Sequence, residues 1–173
     1  MADKIIRGRV LKLGDFVNTD VIAPGRWMRE GLEVLRLHTM EAILPEFYKD
    51  VKPGDIIVGG RNFGCGSHRE QATAILQVLG IAAVVADSIG RLYFRNGMAF
   101  GVPLFSAQGV SQIVDEGEEL EIVMGPDKVT IRNVASGREV TGPPIPDIMA
   151  KVLEAGGMYN LLKQRLAEES LGG

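Results

Sequence analysis

A chain of 173 residues with net charge −3, of which 46% are hydrophobic, 24% charged and 6% aromatic, has the size and composition of a globular domain with a core built mainly from Val, Ile, Leu and Ala. The slight excess of acidic residues argues against a nucleic-acid partner, which needs a basic face, and no apolar run is long enough to span a bilayer. The single cysteine, Cys65, excludes an intrachain disulfide, and Met1-Ala2-Asp3-Lys4 lacks the apolar stretch of a secretory signal, so a cytoplasmic location is expected.

In chain order, residues 5–13 end in alternating apolar and basic positions and read as a half-buried strand. A loop follows at 14–25, then short helices around 32–40 and 41–48, the second tolerating Pro45 because it falls early. Residues 56–58 form a short buried strand. A glycine-rich loop, 59–66, runs into a helix over 69–79, where Ala72, Ile75, Leu76 and Leu79 recur at helical spacing. Residues 82–86 are apolar on both faces and read as another buried strand. A helix at 90–100 and a strand beginning at 102–105 complete a strand–helix–strand–helix–strand run, the pattern of a small α/β core with parallel strands. The strands 120–124 and 128–131, joined by Gly125-Pro126-Asp127, read as a hairpin. Residues 146–167 read as a C-terminal helix, with 168–173 a frayed tail. No linker or repeat divides residues 1–173, so one domain is expected.

The chemistry is concentrated in Gly59-Gly60-Arg61-Asn62-Phe63-Gly64-Cys65-Gly66-Ser67-His68-Arg69-Glu70. A strand ends, four glycines follow within eight residues, and a polar cluster opens a helix, whose unpaired N–H groups attract anions. Ser67 with Glu70 three positions on spells a capping box, which is commonly structural only. A cation at Arg69 would be opposed by the helix dipole, and is easier to understand if a substrate carboxylate sits there too. The loop has neither the ending of a nucleotide P-loop nor the spacing of a dinucleotide fingerprint. Cys65 reads either as a redox-sensitive thiol or as a small packed residue. Trp27 reads either as core or as the wall of an apolar pocket. His38 reads as a surface or half-buried helical residue, and Arg91 and Arg95, four apart, as one helix face turned to solvent, substrate or a partner.

The stretch Asn62 to Glu70 resembles the signature loop of the small subunits of 3-isopropylmalate dehydratase and homoaconitase, relatives of the swivelling C-terminal domain of aconitase. Two further blocks agree and come in family order. Gly14-Asp15-Phe16-Val17-Asn18-Thr19-Asp20-Val21-Ile22-Ala23-Pro24-Gly25-Arg26 is similar to the family's early loop, and Asp87-Ser88-Ile89-Gly90-Arg91-Leu92-Tyr93-Phe94-Arg95-Asn96-Gly97 to its third block. The resemblance spans about residues 5–165.

It implies a swivelling-domain fold (β/β/α): a small parallel α/β core with additional hairpin strands and a C-terminal helix. It implies a hydro-lyase that moves a hydroxyl between adjacent carbons of a hydroxy-di- or tricarboxylate, with 3-isopropylmalate the default and homoaconitate or a methylated malate the alternatives. By the same resemblance Ser67 is the catalytic base, and Asp20, on the acidic position of the early loop that lines the site, is the second catalytic residue. Arg69 binds a substrate carboxylate, with Gly66 and Thr19 among the binding residues. His68 stands where relatives carry a second serine, and either binds a carboxylate or faces solvent. Arg29 matches homologues that accept a third carboxylate. The family's [4Fe–4S] cluster needs three cysteines, so with one cysteine here it is expected in a large-subunit partner, as a heterodimer or heterotetramer. A homo-oligomer of the isolated chain, and a carboxylate-binding domain acting without a partner, stay open.

Overall fold

The computed structural model describes residues 4–171. Four strands, β1 (Lys4–Lys12), β2 (Ile56–Gly59), β3 (Ala83–Ala86) and β4 (Leu104–Ser106), lie parallel, and β5 (Glu119–Met124), β6 (Val129–Asn133) and β7 (Glu139–Gly142) extend the sheet antiparallel. The order across the sheet is β4-β3-β2-β1-β5-β6-β7. The central strand is therefore the first in the chain. Its residues 4–9 pair with β5 and its residues 10–12 with β2. The two ends of the sheet curl toward each other. A Cβ placed on Gly142 of β7 would lie 2.5 Å from the carbonyl of Ser106 in β4, so only glycine fits that approach.

The helices are α1 (Thr19–Ile22), α2 (Leu32–Leu35), α3 (Phe47–Asp50), α4 (Gln71–Val78), α5 (Arg91–Ala99), α6 (Val110–Ile113), α7 (Asp147–Glu154) and α8 (Met158–Leu171), with a 3-10 turn at Gly25–Glu30. Strands that add in one direction through right-handed crossovers place their connecting helices on one face of the sheet. Accordingly Ala72, Ile75, Leu76 and Tyr93 of α4 and α5 pack on Leu11, Ile57, Val84 and Ala86. The alternate strand residues, Val10, Ile56, Val58, Ala83 and Val85, face a second core closed by α6 and by Leu120, Ile122, Val129 and Ile131 of the hairpin. Each fully buried Ile, Leu or Val here contributes roughly 1.5–3 kcal/mol.

Several expectations are revised. The segments 32–40 and 41–48 are mostly turns, with one helical turn at each of α2 and α3. The single C-terminal helix is two, broken at Gly156-Gly157, whose φ angles of 73° and 122° leave the right-handed region. The tail expected to fray is helical as far as Leu171, and residues 172–173 lie outside the described part. On α5, Met98 is buried whereas Leu92 is 49% exposed.

One buried group has no partner. Thr73 on α4 is fully buried, and its Oγ1 makes no hydrogen bond among the described residues. Thr73→Val keeps the shape and removes the unpaired hydroxyl, so it is expected to add about 1 kcal/mol of stability, read as a melting temperature higher by about 2–4 °C. An unchanged or lower melting temperature would show that the hydroxyl is satisfied after all.

Candidate active site

The carboxyl ends of β1, β2 and β3 release three loops that pair with one another outside the sheet. Phe16 N–H donates to the carbonyl of Arg61 (2.8 Å), Gly64 N–H to that of Val17 (2.7 Å) and Thr19 N–H to that of Cys65 (2.9 Å). On the other side of the middle loop, Phe63 N–H donates to Ser88 O (2.9 Å), Gly90 N–H to Phe63 O (2.8 Å) and Asn62 N–H to the Ser88 hydroxyl (2.8 Å). The Ser67 loop, the early loop and the start of α5 therefore meet at one rim, where open α/β sheets commonly bind ligands.

Two non-glycine residues, Phe16 (φ 55°) and Asn62 (φ 54°), hold left-handed backbone at this junction. Such conformations concentrate at functional sites, where the surroundings over-determine them. The carboxylate of Asp15 supports the same crossing. It accepts from Arg61 N–H (2.7 Å) and Nε (2.8 Å), which hold its carboxyl below the usual range.

At the centre, Thr19 is buried and Ser67 exposed, with their hydroxyl oxygens 3.1 Å apart. Ser67 N–H donates to Thr19 Oγ1 (3.1 Å), which leaves the Thr19 proton free to point at Ser67 Oγ. Asn18 opens α1 by accepting from Val21 N–H (2.9 Å), which fixes the Thr19 backbone. Gly66 is exposed and left-handed (φ 103°), and a Cβ there would lie 3.2 Å from Thr19 Oγ1.

The helix after this loop starts later than the spacing predicts. Helix α4 begins at Gln71 with Glu70 as its flanking residue and no side-chain cap, so Ser67 and Glu70 do not form a capping box. The tether of Ser67 to Thr19 holds the serine away from the helix end. Arg69 lies just before the flanking residue Glu70 rather than inside the first turn. Its charge is met within the chain by an ion pair from Nη1 to Asp20. Asp20 and Arg69 thus lie together, next to Ser67 and Thr19. Gly25 adjoins the Arg69 guanidinium, a Cβ there being 3.4 Å from Nη1.

His68 is exposed and makes no hydrogen bond within the chain among the described residues. Arg29, at the end of the 3-10 turn, is also exposed and without an ion pair among them. An open cleft of ≈ 520 Å³ runs from Asp20 along Pro24, Gly25 and Arg26 to Glu41. Cys65 is half-buried, its Sγ 3.7 Å from the Phe16 carbonyl.

Trp27 is half-buried, its indole stacked on His38 with ring centres 3.8 Å apart and planes 10° apart. Its Nε1–H donates to Glu41 (3.1 Å). Glu41 drew no notice in the sequence because its partners are 3 to 15 positions away in irregular chain. Arg91 and Arg95 are exposed at the mouth of a second, apolar groove formed by Phe94, Phe105, Ile145 and Met149.

The sequence profile of the aconitase C-terminal domain matches residues 20–106. The isopropylmalate/citramalate isomerase small subunit of Methanocaldococcus jannaschii is 44% identical over 165 residues, 95% of this chain and 97% of that one. The methanogen homoaconitase small subunit of Methanothermobacter thermautotrophicus is 45% identical over 157 residues, 90% of this chain and 89% of that one. Among solved structures, the 3-isopropylmalate dehydratase crystal structure from Methanocaldococcus jannaschii matches with a TM-score of 0.88 and 36% identity, covering 98% of this chain and 100% of that one.

Proposed function

The chain belongs to the aconitase C-terminal domain family, as a hydro-lyase small subunit, and on that premise we propose that Ser67 is its catalytic base and Arg69 its carboxylate ligand in a site completed by a large subunit. The observation that carries this reading is the Ser67–Thr19 hydroxyl pair lying open beside the Asp20–Arg69 ion pair.

In a dehydration of this kind, a base takes a proton from the carbon next to a carboxylate while hydroxide leaves the adjacent carbon. Rehydration with the two carbons exchanged gives the isomer. Ser67 Oγ, as alkoxide, would take that proton and become the hydroxyl. Within this chain the Thr19 hydroxyl, acting as donor, favours the alkoxide. Arg69 uses Nη1 for Asp20, and its remaining donors can engage a substrate carboxylate. Asp20 then orients the guanidinium. The exposed N–H of Gly66 and the imidazole of His68 are further carboxylate contacts in this proposal.

A [4Fe–4S] cluster does not fit this chain. It has one cysteine, and among the described residues no group of three or more His, Cys, Asp or Glu side chains could hold a metal ion. In the proposal the cluster belongs to the large subunit, in a heterodimer or heterotetramer. That partner also has to cover Ser67, His68 and Arg29, which stand in solvent here, because water screens the charges on which such chemistry depends. A cytoplasmic location is part of the same reading; among the described residues no helix is long and apolar enough to cross a membrane.

For the substrate, 3-isopropylmalate is the default, with homoaconitate or a methylated malate the alternatives. The relatives named above are 44% and 45% identical yet carry different substrate names, so overall identity does not rank the candidates. In this reading the turn Gly25–Glu30, with Arg29 exposed at its end, is the segment that would discriminate an apolar from a third-carboxylate ligand.

The test mixes this chain with its reconstituted iron–sulfur large subunit and measures hydration of isopropylmaleate, homoaconitate and citraconate. Turnover that needs both chains is the expected result, and its rates rank the substrates. If no complex forms although the cluster is intact, and the isolated chain binds a hydroxy-dicarboxylate by itself, the reading becomes that of a partner-independent carboxylate-binding domain.

A further inference from the structure

We propose that Glu41 is a positioning residue for the turn Gly25–Glu30, and through it sets which substrate the assembled enzyme prefers. The proposal rests on the reading above, that this turn meets the substrate. Glu41 is half-buried, and its carboxylate binds both side chains that open the turn. Oε1 accepts from Arg26 Nη2 and from Trp27 Nε1 (3.1 Å). Oε2 lies 2.7 Å from His38 Nδ1, and the His38 ring stacks on Trp27. The Arg26 guanidinium lies 5.5 Å from the centre of the indole ring. Three hydrogen bonds to one carboxylate and a stacked pair of rings leave residues 26 and 27 little freedom. Burial opposes the charge of Glu41, but the hydrogen bonds from His38, Arg26 and Trp27 hold its carboxyl below the usual range.

The other end of this anchor reaches the catalytic rim. Met40, buried and left-handed (φ 59°), precedes Glu41, and its N–H donates to the carbonyl of Val21 (3.1 Å). Val21 belongs to α1, the helix that carries Thr19 and Asp20. A continuous connection therefore runs from the Ser67 partner, through Val21, Met40 and Glu41, to the turn bearing Arg29. The Arg26 contact is exposed and worth little by itself. The less exposed bonds to Trp27 and His38 carry the orientation.

Trp27 is the only tryptophan, so its fluorescence reports this arrangement without any substrate. In the isolated chain, Glu41→Ala is expected to shift the emission to the red and to raise acrylamide quenching about twofold, because the indole loses its partner and gains water. In the assembled enzyme, Glu41→Ala is expected to raise KM about tenfold with kcat within about threefold, and to change the ratio of kcat/KM between isopropylmaleate and homoaconitate. Glu41→Gln, whose amide oxygen still accepts from Trp27, is expected to recover most of both effects. Unchanged Trp27 emission in Glu41→Ala would remove the geometric basis. Shifted emission with KM and the substrate ratio unchanged would reduce Glu41 to a structural residue. A wild-type pair without turnover on any substrate would sink the functional reading and the substrate half of this proposal with it, while the fluorescence arm still decides whether Glu41 holds the turn.

Discussion

Ser67→Ala is expected to lower kcat of the assembled enzyme by about 10³-fold, within the 10²–10⁴ range of a lost general base, while leaving the small subunit folded. The two halves of this expectation come from the same geometry. Ser67 is exposed, and its backbone N–H, which the substitution keeps, already supplies one of the two contacts with Thr19. Removing an exposed hydroxyl should change stability by no more than about 0.5 kcal/mol. In the proposed mechanism the hydroxyl is the group that exchanges the proton, with the buried Thr19 hydroxyl 3.1 Å away to stabilise it. Measuring kcat with saturating large subunit, next to a thermal melt, separates the two effects. A loss of less than about tenfold would move the base away from Ser67 and leave His68, the next side chain on the loop, as the group to examine.

Gly64→Ala should act in the opposite way, through the fold first. Gly64 has φ 71°, and a Cβ there would lie 2.2 Å from Cγ of Tyr93. Tyr93 cannot yield. It is buried, its hydroxyl donates to the carbonyl of Ala72 (3.0 Å), and its ring meets Phe63 edge-on with centres 5.7 Å apart. Burial also pushes the Tyr93 hydroxyl pKa upward, so it remains a donor throughout the accessible pH range. The left-handed backbone costs an L-residue about 1–2 kcal/mol and overpacking about 1–3 more, so a total near 3 kcal/mol and a melting temperature lower by about 6–12 °C are expected. Gly64 N–H also binds Val17 (2.7 Å), so the displacement should reach the Ser67 loop and reduce turnover even well below the melt. A melting temperature within about 2 °C of wild type would show that the loop can move aside as a unit.

Parts of this molecule were legible from residue patterns, and the exceptions share a cause. The parallel core was readable because β2 and β3 are uninterrupted apolar runs and α4 repeats its apolar residues at helical spacing. The three loops that meet at the rim carry the three blocks of the family resemblance. The start of α4 was misplaced because Ser67 and Glu70 satisfy a local capping rule that a distant partner, Thr19, overrides. Arg69 consequently falls just outside the first turn, where its side chain pairs with Asp20. Strand β7 gave no signal, since its residues are intermediate or exposed and it owes its place to β6 and to the approach of Gly142 to Ser106. The break between α7 and α8 is marked in the sequence by the paired glycines at 156 and 157, which interrupt the helical pattern. The Glu41 contacts could not be read from spacing, because they join an irregular turn to an irregular loop.

The position of the first strand has a consequence for biosynthesis. The strand that leaves the ribosome first, β1, is the middle of the finished sheet, and Lys4 pairs with Met124. Through most of translation its edge toward β5 has no partner to meet. The parallel half can assemble once β2 has emerged, but the sheet cannot close until the hairpin has been made. Such long-range pairing slows folding and leaves nascent chains prone to aggregate. A truncation that ends before β5 should therefore be insoluble rather than a smaller folded unit, and a fusion at the N-terminus places its bulk beside the long-range junction of β1 with β5.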